Sequence, residues 1–233
     1  MSVTRRQFGG LLGASIGSIA LRGYAAQGKE NVHFSHGVAS GDPLQNRVIL
    51  WTRVIPGDLL PRRVKVEWEV STDDQFTEVV RKGRAFADPS ADFTVKVDAQ
   101  GLKPSHKYFY RFIAEDVSSF IGITKTLPKG DVNQFRIGLA SCSNFPQGYF
   151  KAYRDMASQD LDLVLHLGDY IYEYPDGEYA NQEALDRLNR HVRPSHEILT
   201  LDDYRTRYGL YRTDKHLQAV HQRHPFICVW DDH

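Results

Sequence analysis

Three short polar segments carry the side chains of this sequence that are best suited to binding metal ions. They are SCSN at 141–144, GDYIYE at 168–173 and DDH at 231–233. Each directly follows an apolar run typical of a short strand, and the carboxyl ends of parallel strands meet at one edge of an α/β sheet. Carboxylates, imidazoles and thiolates bind hard and borderline cations. We therefore expect the segments to converge on a metal centre, in which the carboxylate of Asp169 could bridge two cations.

Taken singly, each segment also has an ordinary structural explanation. A Gly-Asp pair after a strand is common in turns, Cys142 could be an inert buried thiol, and the DDH segment could cap a helix. Most of five further histidines are interpreted as solvated or structural, because no pair of them has a tight metal spacing with an identifiable carboxylate. They are His191, His196, His216, His221 and His224. The order of the three polar segments after successive strands is the stronger signal.

The elements that would position these segments lie in the second half of the chain, over residues 135–233. Its predicted strands are at 135–140, within LDLVLHLGDY and at 226–230, and its predicted helices are at 148–159, from Thr200 and from Thr213. The first helix has Phe150, Tyr153 and Met156 on one face, and the second begins with a capping-box-like pair. A strand, a helix and a second strand in succession predict an α/β domain with parallel strands.

Residues 33–127 predict an all-β sandwich domain. Short runs rich in β-branched and aromatic residues, such as NRVILWTRV, RVKVEWEVS and HKYFYRFIAE, alternate with turn compositions such as ASGDPLQ and AQGLKPS. Five or more such strands bury their alternating faces against a second sheet. The stretch DFTVKVDAQGLKPSHKYFYRF resembles the end of a fibronectin type III or immunoglobulin-like domain. In that resemblance Tyr108, or alternatively Tyr110, bonds back across the corner before its strand.

The first 26 residues predict an export signal rather than part of the fold. Adjacent Arg5 and Arg6 precede a weakly apolar run at 11–21 and small residues up to Ala26, which is the pattern of a twin-arginine signal peptide. The apolar run has about half of the ~20 residues that a spanning helix needs, so we expect no stable membrane anchor. The predicted partner is the twin-arginine translocation machinery, and the predicted location is periplasmic or extracellular.

Composition narrows the class of protein further. The 233 residues are 41% hydrophobic and 25% charged, as in an ordinary soluble globular protein. Basic and acidic side chains number 29 each, which argues against the basic surface of a nucleic-acid-binding protein. Cys142 and Cys228 are the two cysteines, so no disulfide framework is expected.

Four motifs together resemble the alkaline phosphatase D, or PhoD, family of the calcineurin-like metallophosphoesterase superfamily. They are FSHGVASGDPLQNRVILWTRV, GLASCSN, LVLHLGDYIYEYP and VWDDH, and the resemblance runs from 34 to 233. It implies that residues 135–233 are the first part of a metallophosphoesterase domain. It also implies a secreted metal-dependent phosphoester hydrolase, an alkaline phosphatase or phosphodiesterase. Its substrates would be extracellular phosphomonoesters, phosphodiesters or phosphate-containing polymers, hydrolysed at a two-metal centre that polarises the phosphoryl oxygens.

The resemblance also assigns roles to individual residues. Cys142 matches a cysteine that binds iron, and Asp169 matches the aspartate that bridges the metals. Tyr172 matches a tyrosine that binds ferric iron as phenolate. Asp232 stands where an asparagine usually holds the second metal, and His233 stands where a histidine contacts phosphate. The metals implied are Fe³⁺ and Ca²⁺.

Some points remain open at the level of the sequence. The family's catalytic domain continues beyond the aspartate–histidine motif and takes further ligands from that continuation. We therefore expect that the chain is cut within the catalytic domain at His233 and hydrolyses little by itself. The alternatives are a secreted non-catalytic binding module carried by the sandwich, and a nucleotidase or purple acid phosphatase of the wider superfamily. The role of Asp231, the natural substrate and the second metal are undecided.

Overall fold

The structure is a computed structural model that describes residues 32–233. The predicted signal peptide at 1–26 lies outside these residues. The described part of the chain forms eleven strands and four helices, and the strands make two sheets, one of six strands and one of five. Within residues 32–233, no helix combines the length and apolar character needed to cross a membrane.

The first eight strands lie where the sequence predicts a β-rich half. They are β1 Val38–Gly41, β2 Arg47–Arg53, β3 Val64–Ser71, β4 Val79–Ala87, β5 Thr94–Gln100, β6 Lys107–Ala114, β7 Val117–Ser118 and β8 Gly122–Lys125. Strands β2, β3 and β6 lie within the predicted runs NRVILWTRV, RVKVEWEVS and HKYFYRFIAE. The prediction of a turn across ASGDPLQ is wrong for its first three residues, which belong to β1. That strand forms because β2 pairs with it along its length, which overrides its weak intrinsic preference.

The strands of this half form two facing layers. Strands β5, β2 and β1 are neighbours in one sheet, and β4, β3 and β6 are neighbours in the other, where β7 and β8 both pair with β6. Buried side chains alternate along β2 and β6, and a single cluster containing Leu50, Val66 and Phe112 fills the space between the layers. The predicted corner bond is present, because the hydroxyl of Tyr108 accepts a hydrogen bond of 2.9 Å from the Lys103 N–H.

The second half contains three parallel strands and the four helices. These are β9 Ile137–Ala140, α1 Lys151–Ser158, β10 Leu163–His166, α2 Gln182–Leu188, α3 Leu201–Tyr211, α4 Lys215–Arg223 and β11 Pro225–Cys228. Strand β10 lies between β9 and β11 and is parallel to both, which confirms the predicted arrangement of strand, helix and strand. A second hydrophobic cluster, which includes Tyr153, Val164 and Val220, lies between this sheet and its helices.

Three local predictions need correction. The predicted buried strand at 226–230 ends at Cys228, and the side chains of Val229 and Trp230 are exposed. Helix α4 is capped by Asp214 rather than Thr213, because the Asp214 carboxylate accepts hydrogen bonds from two N–H groups of the first turn. Helix α2 was not predicted from the sequence. The capping box predicted for α3 is present between Thr200 and Asp203.

The two halves share one sheet. Strand β1 pairs in parallel with β11, with Ser40 opposite Pro225 and Gly41 opposite Phe226. The six-stranded sheet therefore runs β5–β2–β1–β11–β10–β9, from the sandwich into the α/β half. Pairing with β1 satisfies the backbone groups at one edge of β11, so the strand that leads into the DDH segment is held on both sides.

Candidate metal centre

The three polar segments converge as predicted at the carboxyl ends of β9, β10 and β11. The Cys142 N–H donates to the Gly168 carbonyl, and the Ser143 N–H donates to the Asp169 carbonyl, each at 3.3 Å. The second segment also contacts the third, because Gly168 lies close to the backbone and Cβ of Asp231. A Cβ at position 168 would lie 2.3 Å from the Cβ of Asp231, and the φ of +110° there also favours glycine. Close approach of the segments therefore depends on the glycine of the Gly-Asp pair.

Two carboxylates and one imidazole form a compact set of potential metal ligands. Asp169, Asp232 and His233 each offer one ligand atom, and these atoms all lie within 4.8 Å of one another. Asp169 is buried, and its Oδ2 accepts a hydrogen bond of 3.3 Å from the Tyr172 hydroxyl. Its Oδ1 is buried without a hydrogen-bond partner among residues 32–233. A buried carboxylate oxygen without a partner is costly, and a cation would satisfy it. These donors therefore fit a metal ion.

Tyr172 lies beside these three side chains and contacts both Asp169 and His233. Burial, followed by the negative charges of Asp169 and Cys142, raises the pKa of its hydroxyl above the ordinary value. In this environment Tyr172 keeps its proton, and its hydroxyl donates a hydrogen bond to Asp169. A nearby multivalent cation would reverse this preference, because an adjacent positive charge stabilises a phenolate.

Cys142 lies at the same edge of the sheet but outside the compact set of three ligands. Its side chain is exposed, and its thiol is free. Its backbone has a φ of 54°, and that of Asp169 has a φ of 52°. Residues other than glycine rarely adopt this left-handed conformation, and such strain concentrates at functional sites. Both predicted ligands thus have an unusual backbone conformation, two or three positions after the end of a strand.

Glu173 is a member of the site that the sequence analysis did not single out. Its two carboxylate oxygens lie 2.9 and 3.2 Å from Nδ1 of His233. Partial burial favours the neutral imidazole, but the hydrogen bond to Glu173 and the charges of Glu173 and Asp169 outweigh it and raise the pKa of His233. The available sequence signal was weak: an acidic residue within the same GDYIYE segment as two predicted ligands.

Arg207 and three tyrosine rings support the contact between Glu173 and His233. Arg207 on α3 is almost fully buried, and its guanidinium donates to the carbonyls of Tyr172 and Tyr174 on either side of Glu173. Three tyrosine rings surround the imidazole of His233, with centroid distances of 4.5 Å for Tyr172, 5.4 Å for Tyr174 and 6.5 Å for Tyr179. The imidazole is thus held by a carboxylate on one nitrogen and by aromatic rings around it.

Comparisons with known proteins agree with the resemblance drawn from the motifs. The family described as "PhoD-like phosphatase, N-terminal domain" matches residues 19–128, and the family described as "PhoD-like phosphatase" matches residues 137–233. The chain is 45% identical over 216 residues to "Alkaline phosphatase D" of Bacillus subtilis (strain 168), which covers 90% of this chain and 36% of that protein.

A solved structure entitled "Structure of PhoD" superposes with a TM-score of 0.79 at 45% identity. The superposition covers 86% of this chain and 39% of that one. The chain therefore spans well under half the length of the relatives that it matches. The two family matches follow one another along the chain in the order of the sandwich and the α/β half. On these grounds the chain belongs to the family of PhoD-like phosphatases.

Proposed function

We propose that this chain provides the metal-binding part of a secreted phosphoester hydrolase, an alkaline phosphatase or phosphodiesterase. The observation that carries the proposal is the buried, unpartnered Oδ1 of Asp169 beside ligand atoms of Asp232 and His233. The identity to a protein named alkaline phosphatase D supports the choice of reaction. A non-catalytic binding module would not need this unsatisfied buried carboxylate, whose cost is recovered when a cation binds.

The metals proposed are Fe³⁺ and Ca²⁺, and the carboxylate of Asp169 would contribute to holding both. Asp232 would hold the second ion, and the phenolate of Tyr172 and the thiolate of Cys142 would hold iron. When bound, the cations polarise the phosphoryl oxygens and stabilise the negative charge that develops during displacement. His233, whose Nδ1 is engaged by Glu173, presents Nε2 to an oxygen of the phosphate. The imidazolium, in which both nitrogens carry a proton, is the form that would donate from Nε2 to an anion.

We assign a fibronectin type III-like sandwich to residues 33–127 and the first part of a calcineurin-like metallophosphoesterase domain to residues 135–233. Three strands, β5–β2–β1, face β4–β3–β6–β8, a Greek-key arrangement typical of such sandwiches. The hydrogen bond between Tyr108 and Lys103 supports this assignment.

The proposed export rests on the predicted signal at 1–26, and the proposed substrates rest on the resemblance to the PhoD family. A twin-arginine signal would deliver the folded protein through the translocation machinery to the periplasm or the exterior. Phosphomonoesters, phosphodiesters and phosphate-containing polymers outside the cell would then be its substrates. The balance of acidic and basic side chains gives no support to nucleic-acid binding.

Metal binding by the 233-residue chain tests the proposal. We expect the purified chain loaded with Fe³⁺ and Ca²⁺ to retain both metals and to show a visible absorption band from tyrosinate bound to ferric iron. Asp169→Asn should weaken metal binding at least about tenfold, because it removes the bridging carboxylate. Tyr172→Phe should retain metal and lose the visible band.

Asp131→Asn is the matched control, because Asp131 is an exposed carboxylate outside the site. It should leave metal content and the visible spectrum unchanged. Equal metal content in the wild-type chain and in Asp169→Asn would show that the compact set is not a metal centre and would overturn the proposal.

A further inference from the structure

We propose that Glu173 is the positioning residue for His233, holding its imidazole with Nδ1 turned away from the phosphate site and Nε2 left free to meet the substrate. The inference deepens the proposed function and rests on it for the role of His233. Glu173 would touch neither a metal ion nor the substrate. It would act through the imidazole alone.

The contact between the two side chains has the geometry of an orienting hydrogen bond. Oε2 of Glu173 lies 2.9 Å from Nδ1, and Oε1 lies 3.2 Å from the same nitrogen. A carboxylate can only accept, so Nδ1 must carry a proton in this arrangement. In a neutral imidazole the proton on Nδ1 leaves Nε2 as the acceptor, and in the cation both nitrogens donate. Glu173 therefore fixes Nδ1 as the nitrogen that hydrogen-bonds to the protein.

The carboxylate is itself fixed by its backbone. The carbonyls of Tyr172 and Tyr174, which flank Glu173, both accept hydrogen bonds from the buried guanidinium of Arg207. The Glu173 carbonyl accepts a hydrogen bond of 3.1 Å from the Ile198 N–H. Three consecutive carbonyls are thus tied to α3 and to the segment before it, which limits the positions that the Glu173 side chain can reach.

Packing around the imidazole restricts its rotation as well. The rings of Tyr172 and Tyr174 lie at centroid distances of 4.5 and 5.4 Å from that of His233. The side chains of His233 and Glu173 are 17% and 32% exposed, so residues 32–233 do not enclose the pair completely. An oriented imidazole that is partly exposed is the arrangement expected of a group that binds a ligand through its second nitrogen.

The first test reads the protonation of the imidazole directly. In the ¹⁵N-histidine-labelled, metal-free chain, at a pH at which the imidazole is neutral, ¹H–¹⁵N correlation spectra should show His233 protonated on Nδ1. His233→Gln assigns the signal by removing it. Glu173→Ala should lose this preference, and Glu173→Asp should lose it too because its carboxylate is one methylene shorter. Glu173→Gln, whose amide oxygen can still accept, should retain it at least in part.

Glu178→Ala is the matched control, because Glu178 is an exposed glutamate five positions further along the chain. It should leave the spectrum of His233 unchanged. Circular dichroism and thermal melts identify any variant that fails to fold, and Glu173→Asp and Glu173→Gln provide folded alternatives to Glu173→Ala. Persistence of the Nδ1-protonated form in both folded Glu173→Ala and folded Glu173→Asp would overturn the proposal.

The second test measures binding of inorganic phosphate to the metal-loaded chain. Glu173→Ala should weaken phosphate binding about tenfold while Glu178→Ala leaves it unchanged, because loss of an orienting partner typically reduces affinity by at least this factor. The two proposals fail in different ways. A chain that binds no metal refutes the metal centre, whereas the spectrum of the metal-free chain still decides the role of Glu173.

Discussion

The potential ligands of the candidate metal centre come from loops that lie far apart in the chain, so the site depends on a few residues that bring these loops together. Asp169, Tyr172 and His233 were predictable from their types and from their positions after strands or within motifs, and the structure brings them together. Glu173 was not singled out, although it lies in the same segment as Asp169. Its partner is 60 positions away, and no local pattern reports a contact between two loops at that separation. The metal-binding roles themselves stay predictions.

Gly168 yields a prediction at this scale. Gly168→Ala should destabilise the protein by about 2 to 4 kcal/mol, because the added Cβ meets Asp231 and the backbone has φ +110°. It should also weaken metal binding, since Asp169 is the next residue. Gly177→Ala is the control for backbone strain, because Gly177 has φ +86° and no atom within 4 Å of an added Cβ. Chemical denaturation and metal titration of both variants measure the difference, and equal losses in the two would contradict the steric argument.

At the scale of elements, periodic sequence patterns predict several strands and helices, whereas elements that depend on tertiary pairing could not be predicted from them. Strands β2 to β6 and helices α1 and α3 follow from alternation, helical spacing and a capping box. Strand β1 and helix α2 did not follow. The segment of β1 reads as a turn, and it becomes a strand because β2 and β11 supply hydrogen-bonding partners on both of its sides. Strand β11 likewise ends at Cys228, opposite His166 at the end of β10, although the apolar run continues to Trp230.

Helix α3 carries the prediction at this scale through Arg207. Arg207→Lys should lower the free energy of unfolding by about 2 to 3 kcal/mol. The guanidinium of Arg207 donates hydrogen bonds to the carbonyls of Tyr172, Tyr174 and Pro194, and a single ammonium group cannot replace all of them. Arg187→Lys, at an exposed ion pair on α2, should change stability by less than about 0.5 kcal/mol. Urea denaturation measures both. A negligible effect at position 207 would show that the carbonyls find other partners.

The whole molecule contains a set of buried histidines that should govern its response to acid. Burial, assisted by nearby positive charges from Arg53 and Arg212, lowers the pKa of His36 to about 4, and burial lowers that of His166 to about 4. Burial also lowers the pKa of His221 and of His224. Each of these histidines is neutral in the folded protein and gains a proton more readily when unfolded. Their contribution to stability is therefore complete above the unfolded value of 6.5 and is lost as the pH falls toward 4.

The resulting prediction is a loss of stability between pH 6.5 and pH 4, with a slope of up to about 1.4 kcal/mol per pH unit for each such histidine. His36→Gln should reduce the slope, because it removes one group that must take up a proton on unfolding. His33→Gln, an exposed histidine three positions away, should leave it unchanged. Free energies of unfolding from urea titrations across this range provide the measurement, and identical slopes for His36→Gln and the wild-type chain would contradict it.

The pairing of β1 with β11 also sets an order of events during synthesis. Strand β1 leaves the ribosome early, but its parallel neighbour is made only after the rest of the sandwich and all four helices. Pairing between strands so far apart in the chain closes a long loop and is intrinsically slow. The sandwich can therefore assemble while one side of β1 is still open. The strand that leads to the DDH segment then docks onto an existing template, so the candidate metal centre is completed among the last parts of the described fold.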